Sequence, residues 1–163
     1  MPAKFLADAM LGALARWLRV LSLDTAYDPS IDDPELVAIA LEEQRILLTR
    51  DRKLVERKAL RGRHLLIASE VVDEQVVQVL EHLSETVGWK PGPSSLFRRC
   101  LRCNVALEEM APAEARRFVA PFVARTQKRF RRCPSCERIF WTSSHTRRMR
   151  KRLERMGVAA GQV

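Results

Sequence analysis

Residues 46–51 read Ile46-Leu47-Leu48-Thr49-Arg50-Asp51, and residues 64–68 read His64-Leu65-Leu66-Ile67-Ala68. Ile46–Thr49 is too short and too apolar to be anything but a buried strand, and His64–Ala68 repeats the pattern after a helix expected near Leu54–Leu60. Short buried strands separated by helices imply an α/β fold: a doubly wound, mainly parallel sheet with helices on both faces. Toward the N-terminus, Lys4–Ala7 is a further short strand. Met10, Leu11, Leu14, Trp17, Leu18 and Leu21 follow at spacings of three and four, one face of a helix. Thr25–Tyr27 reads as a strand. Asp33-Pro34-Glu35 is a helix start, with Asp33 as capping carboxylate and Pro34 at the first helical position, where its missing N–H costs nothing. Asp32 reads as a loop carboxylate, and Val37, Ala40 and Leu41 as the buried stripe of that helix. Toward the C-terminus, a helix over Asp73–Val87 turns Val76, Leu80, Leu83 and Val87 inward.

Gly88-Trp89-Lys90-Pro91-Gly92-Pro93-Ser94-Ser95 interrupts this pattern with turn formers. Beyond it lie two C-x2-C pairs, Cys100-Leu101-Arg102-Cys103 and Cys133-Pro134-Ser135-Cys136, which use every cysteine of the 163-residue chain. Four thiols at that spacing can wrap one tetrahedral Zn2+, because each knuckle turns two sulfurs toward one point. A redox pair needs no second knuckle and sits in a thioredoxin-like βαβ unit, which is missing from the pattern here. A closed four-cysteine site leaves no open position for substrate, so this zinc is structural and folds a module too small for its own core. The resulting organisation is an α/β domain over 1–90, a linker over 91–97, a zinc ribbon over 98–145 with a helical insert near Ala113–Ala124, and a basic helix and tail over 146–163. In that last segment Met149, Leu153 and Met156 form a narrow apolar seam.

Charge divides the chain at the same place. Residues 1–90 carry 12 Lys and Arg against 15 Asp and Glu, whereas residues 91–163 carry 17 against 5. A half with net charge +12 seeks a polyanion, RNA or DNA before an anionic membrane surface. The apolar stretch near Leu11–Leu23 is broken by Arg16 and Arg19, so neither a signal peptide nor a membrane span is expected. The expected compartment is cytoplasmic, where cysteines mark metal sooner than disulfides.

Three aspartates occupy equivalent places: Asp8 after the first strand, Asp33 at the start of the second helix, and Asp51 after Ile46–Thr49. In a doubly wound sheet the carboxyl ends of the strands share one edge, so side chains distant in sequence can converge there. Three carboxylates in one cleft repel each other unless a cation sits between them, and oxygen-only ligands suit Mg2+ or Mn2+. Such an ion supports hydrolysis of a phosphodiester. The plainer role for each aspartate alone is helix capping.

The string from Phe5 through Asp8, Gly12, Arg16 and Trp17 to Arg19, together with Leu47–Arg52, resembles the Mut7-C ribonuclease family, a branch of the PIN-like nucleases fused to a zinc ribbon. Cys133–Cys136 followed by Phe140-Trp141 and Ser144-His145 resembles the same family, and the similarity covers residues 4–150. The resemblance implies a PIN-like fold, divalent-metal nuclease activity on RNA, and Asp8, Asp33 and Asp51 as catalytic metal ligands. Many PIN-like nucleases carry a fourth acid two positions after the residue matching Asp51. That place is Lys53 here, and Asp73 or Glu70 stands as a substitute. The rival reading is a non-catalytic RNA- or ribosome-binding adaptor with a degenerate site.

Candidate nucleic-acid contacts are Arg16 and Arg50 beside the acids, Arg98, Arg99 and Arg102 at the first knuckle, and Lys128, Arg129, Arg131 and Arg132 leading into the second. His145, Arg147, Arg148 and Lys151 extend the set into the terminal helix. Arginine clusters attract backbone phosphates without regard to base identity. Phe130, Phe140 and Trp141 are either stacking platforms for bases or the closure of a small core.

Overall fold

Strands β1 (Phe5–Ala7), β2 (Thr25–Tyr27), β3 (Ile46–Thr49) and β4 (His64–Leu66) form one sheet in the order β2-β1-β3-β4, with every neighbouring pair parallel. These relations come from a computed structural model that describes residues 3–158. The register sets Leu6 between Ala26 and Leu47. Side chains alternate across the sheet. Phe5, Ala7 and Leu48 therefore pack with α1 (Gly12–Val20) and α4 (Val72–Val87), and Leu6 and Leu47 pack with α2 (Asp33–Glu42) and α3 (Arg52–Val55). Both faces are covered, as the all-apolar strands require.

The helix over Leu54–Leu60 is in fact two pieces, α3 and a 3-10 turn at Lys58–Leu60. Each of them buries one leucine, Leu54 or Leu60, against the second face. The inward stripes also shift. Leu36 and Ala40 are buried on α2 whereas Leu41 is exposed, and Val79 is buried on α4 whereas Val87 is exposed. Met10 precedes α1 in a 3-10 turn and is 72% exposed. Gly88 ends α4 with φ of 65°, a left-handed cap that favours glycine.

Beyond Gly88 the second layer is a three-stranded antiparallel sheet, β5 (Glu108–Met110), β6 (Phe130–Arg132) and β7 (Ile139–Phe140). The helical insert divides into α5 (Pro112–Ala115) and α6 (Pro121–Thr126), each opened by proline. Proline has no N–H to continue a preceding helix, so Pro121 splits the expected single element. A separate small core joins Met110, Ala115 and Phe130 with Val119, Val123, Ile139 and Trp141.

The last helix, α7 (Ser144–Arg155), buries Met149 and Leu153 in the same core as α1 and α4, and Met156 packs against it. Arg152 fixes this docking through Asp73 on α4 at 2.6 Å and lies 5.0 Å from the ring centre of Trp17 on α1. The tail from 159 to 163 lies outside the described residues. No helix among the described residues is long and apolar enough to cross a membrane.

Candidate active site and metal centre

Strand order β2-β1-β3-β4 sends the chain to opposite sides of β1, making the gap between β1 and β3 a topological switch point, where doubly wound sheets hold ligands beyond their carboxyl ends. Asp8 follows β1 and Asp51 lies two residues past β3. Thr49, the last residue of β3, links them: its hydroxyl donates to Asp8 Oδ2 at 2.8 Å and accepts from the Asp51 backbone N–H at 3.0 Å. Each carboxylate also caps a turn. Asp8 Oδ1 accepts from Ala9 N–H at 2.6 Å and Asp51 Oδ1 from Lys53 N–H at 2.8 Å. Gly12 lets this edge close, since a Cβ there would meet the Tyr27 hydroxyl at 2.6 Å while that hydroxyl donates to the Ala9 carbonyl at 3.0 Å.

The capping assignment at α2 moves by one residue. Asp32, expected as a loop carboxylate, is the cap and accepts from Glu35 N–H at 2.9 Å. Asp33 is the first helical residue, is exposed, and is not used as the cap. Of the two acids that could substitute for the fourth ligand, Asp73 is paired with Arg152 and Glu70 with Arg50 at 3.0 Å. Among the described residues, Asp8, Asp33 and Asp51 do not gather within 4.8 Å of one another; the four cysteines do.

Cys100 and Cys136 place their sulfurs 3.8 Å apart. Four sulfurs at about 2.3 Å from a central zinc stand about 3.8 Å from each other. The cluster thus fits a tetrahedral metal such as zinc, and the two knuckles are built alike. In each, the second cysteine donates its N–H to the first sulfur at 3.4 Å, Cys103 to Cys100 and Cys136 to Cys133. The following residue takes a left-handed turn, Asn104 and Glu137 both with φ of 61°. Its N–H returns to the carbonyl of the first cysteine at 2.9 Å. Burial pushes the Cys100 thiol up to about 12, while the Arg138 amide holds Cys136 down at about 7. A bound cation is what brings a buried thiol such as Cys100 to its thiolate at neutral pH.

Arg19, which the sequence shows only as a charge interrupting the Leu11–Leu23 stretch, has a buried role. It is 7% exposed and donates to three carbonyls, Thr25 at 2.9 Å, Leu101 at 2.9 Å and Arg102 at 3.1 Å. Burial lowers its pKa, and the nearby charges of Cys100, Cys103 and Asp24 work against that shift. Beside it, Asn104 donates to Asp24 at 2.8 Å and accepts from Thr25 N–H at 3.0 Å, while Arg45 reaches Asp24 at 2.6 Å. The first knuckle is thereby riveted to α1 and β2. No neighbour within a few residues signals this role, which depends on carbonyls 82 and 83 residues away in the chain. Thr49 was missed as well, and its signal was a lone hydroxyl closing an aliphatic strand.

The expected basic contacts separate into two groups. Arg99 is turned inward to the Asn104 carbonyl, Arg131 pairs with Glu109 at 2.9 Å, and Arg132 pairs with Glu137. Arg50 pairs with Glu70, yet its Nε is buried and has no hydrogen-bond partner. Arg98, Arg102, Lys128, Arg129, Arg147, Arg148 and Lys151 are exposed. Arg16, also exposed, lies 3.4 Å from His145 across α1 and α7. Phe130 is buried and Trp141 packs on the small core, so both close it, whereas Phe140 lies at its edge.

Residues 3–153 match the model of the Mut7-C RNAse domain. The chain belongs to that family. Membership makes this a ribonuclease-type domain, with RNA as substrate or partner. Comparison with curated proteins and with solved structures yields no match.

Proposed function

We propose that this Mut7-C protein is a metal-dependent ribonuclease with a PIN-like α/β domain, whose centre is built from Asp8, Asp33 and Asp51 and whose RNA is held by the zinc ribbon and terminal helix. The observation that carries this reading is the Thr49 hydroxyl bridging the Asp8 carboxylate and the Asp51 backbone at the β1/β3 switch point. Asp8 and Asp51 keep unshared lone pairs after their capping bonds, and Asp33 is released from capping by Asp32. Mg2+ and Mn2+ retain several waters and need only one or two direct carboxylates, so acids more than 4.8 Å apart remain compatible with one hydrated ion. When bound, the ion supplies an activated water and offsets charge on the phosphodiester. Thr49 holds Asp8 in orientation, Asp51 and Asp33 would receive the ion or its waters, and Arg50, adjacent to Asp51 in the chain and paired with Glu70, would add cationic charge near a phosphate.

The test is Asp51→Asn. It should abolish Mn2+-dependent cleavage of labelled RNA while leaving RNA affinity unchanged; equal cleavage by both proteins overturns the catalytic assignment.

One observation favours the second reading, the adaptor without catalysis. Lys53 occupies the place of the fourth acid, and Asp73 and Glu70 are both held in ion pairs. That reading expects salt-sensitive RNA binding and no product at any Mn2+ concentration.

A further inference from the structure

The insert between β5 and β6 leaves an apolar groove on the ribbon that neither the cysteine cluster nor the strand-edge acids use. It encloses about 740 Å3, and its walls include Phe118, Ile139, Phe140, Trp141 and Arg138. Ala115, Val119 and Val123, four residues apart, turn into the small core. Phe118 and Phe122, also four apart, are left outside at 65% and 67% exposure. Two exposed phenylalanines of the chain's six therefore sit on one short insert. Buried core demand does not account for them, and exposed aromatic surface beside a groove marks a binding face.

The charge around this face selects its occupant. Between Ala111 and Arg132 there are seven basic residues and one acidic; two of the seven, Arg131 and Arg132, are paired with Glu109 and with Glu137 of the groove wall, which leaves five. Arg116, Arg117, Arg125, Lys128 and Arg129 are all exposed there, and Arg138 is exposed on the groove itself. A ligand for such a surface carries regularly spaced negative charge together with flat apolar faces. Unpaired nucleobases on a phosphate backbone have both, whereas a duplex hides its faces in its own stack. We infer that the groove between the 112–126 insert and β7 is a stacking site for the bases of single-stranded RNA, with Phe118 as its outer platform and Phe140 and Trp141 along its wall. This rests on the ribonuclease reading for the identity of the polymer and adds the strandedness of the substrate.

Affinity of the zinc-supplemented full chain is measured in Mg2+- and Mn2+-free buffer against three labelled probes: a uridine 12-mer, an abasic ribose-phosphate 12-mer, and a 12-base-pair RNA duplex. Wild type should favour the uridine strand over the abasic one. Phe118→Ala should bind the uridine strand about tenfold more weakly, as loss of a single stacking platform does, with abasic and duplex binding unchanged. Phe118→Tyr should retain affinity, and Phe118→Leu, apolar but without a π face, should lose it as alanine does. Equal loss on all probes, equal wild-type affinity for uridine and abasic strands, or retention by Phe118→Leu overturns the stacking site. So does a wild type that binds none of the probes, an outcome that would leave an acidic protein segment as the occupant. Cleavage is read separately in Mn2+, so a dead nuclease with base-dependent binding sinks the catalytic assignment alone, and an active nuclease indifferent to Phe118 sinks only the groove.

Discussion

The four cysteines and the three strand-edge aspartates are two ligand sets in one chain, and they are held in opposite ways. The sulfurs are already gathered, each pair drawn together by its own knuckle's amide bonds. The carboxylates are stationed along an edge, with Asp8 and Asp51 restrained by a hydroxyl and by amides, and Asp33 on a separate helix. A bound cation offsets the charge of crowded thiolates, whereas carboxylates brought together without one repel each other. A closed set serves folding. An open one leaves room for water and a phosphate.

The sharpest way to break this contrast is to remove one ligand from each set. Cys133→Ser should abolish the binding of one equivalent of zinc and unfold the ribbon, because binding of structural zinc is worth about 10–16 kcal/mol of folding free energy. Asp8→Asn should leave zinc content and the circular dichroism spectrum unchanged while cutting the cleavage rate on the order of 1000-fold, the scale of several kcal/mol that metal assistance supplies. Metal analysis and a Mn2+ titration on the same samples decide both. Loss of zinc from Asp8→Asn, or full cleavage by it, would dissolve the distinction between the two sets.

Thr49 sharpens the comparison one step further out. Thr49→Val keeps the shape but removes the donor to Asp8 and the acceptor for Asp51. Partners that orient a metal ligand are commonly worth about 10- to 100-fold in metal affinity or activity. The expected signature is a higher Mn2+ requirement, with cleavage partly restored at saturating Mn2+. A merely structural threonine would instead lower the melting temperature and leave the Mn2+ midpoint in place.

How much of this was legible in the sequence follows from which forces are local. β2 and β3 fall where the runs Thr25–Tyr27 and Ile46–Thr49 end, and the cysteine cluster follows from its spacing. Those features depend on neighbours within a few residues. Arg19, Asp73 and Arg152 were opaque because their roles depend on which surfaces meet: a ribbon carbonyl 82 residues away for Arg19, and a terminal helix docked on α4 for Asp73. The shift of the α2 cap from Asp33 to Asp32 is a contest between adjacent carboxylates, and composition alone gives them equal claim. Phe118 escaped notice because its exposure depends on where Pro121 interrupts the insert.

The seam between the two layers gives a third test. Arg19→Met preserves much of the side-chain bulk but leaves three carbonyls without their donor. With about 1–3 kcal/mol for each buried group left unsatisfied and some recovery by water, a loss of about 2–4 kcal/mol is expected from denaturant midpoints. Zinc should still bind, because the knuckle amides that gather the sulfurs are untouched.

The smallest effect concerns pH at the same seam. Burial alone would raise the Asp24 carboxyl, but hydrogen bonds from Arg45 and Asn104, with the charges of Arg45 and Arg99, hold it below its usual range. A depressed folded pKa means that the unfolded chain binds more protons between the two pKa values, so stability rises with pH across that window. The contribution is complete above the unfolded carboxylate range and is lost as pH falls through the folded value. Wild type should therefore lose more stability than Asp24→Asn between neutral pH and the acid side of that window, measured as urea midpoints with the zinc content checked at each pH. Parallel curves for the two proteins would show that Asp24 contributes packing without charge, and the seam between ribbon and sheet would then rest on the bonds Arg19 and Asn104 make to backbone groups.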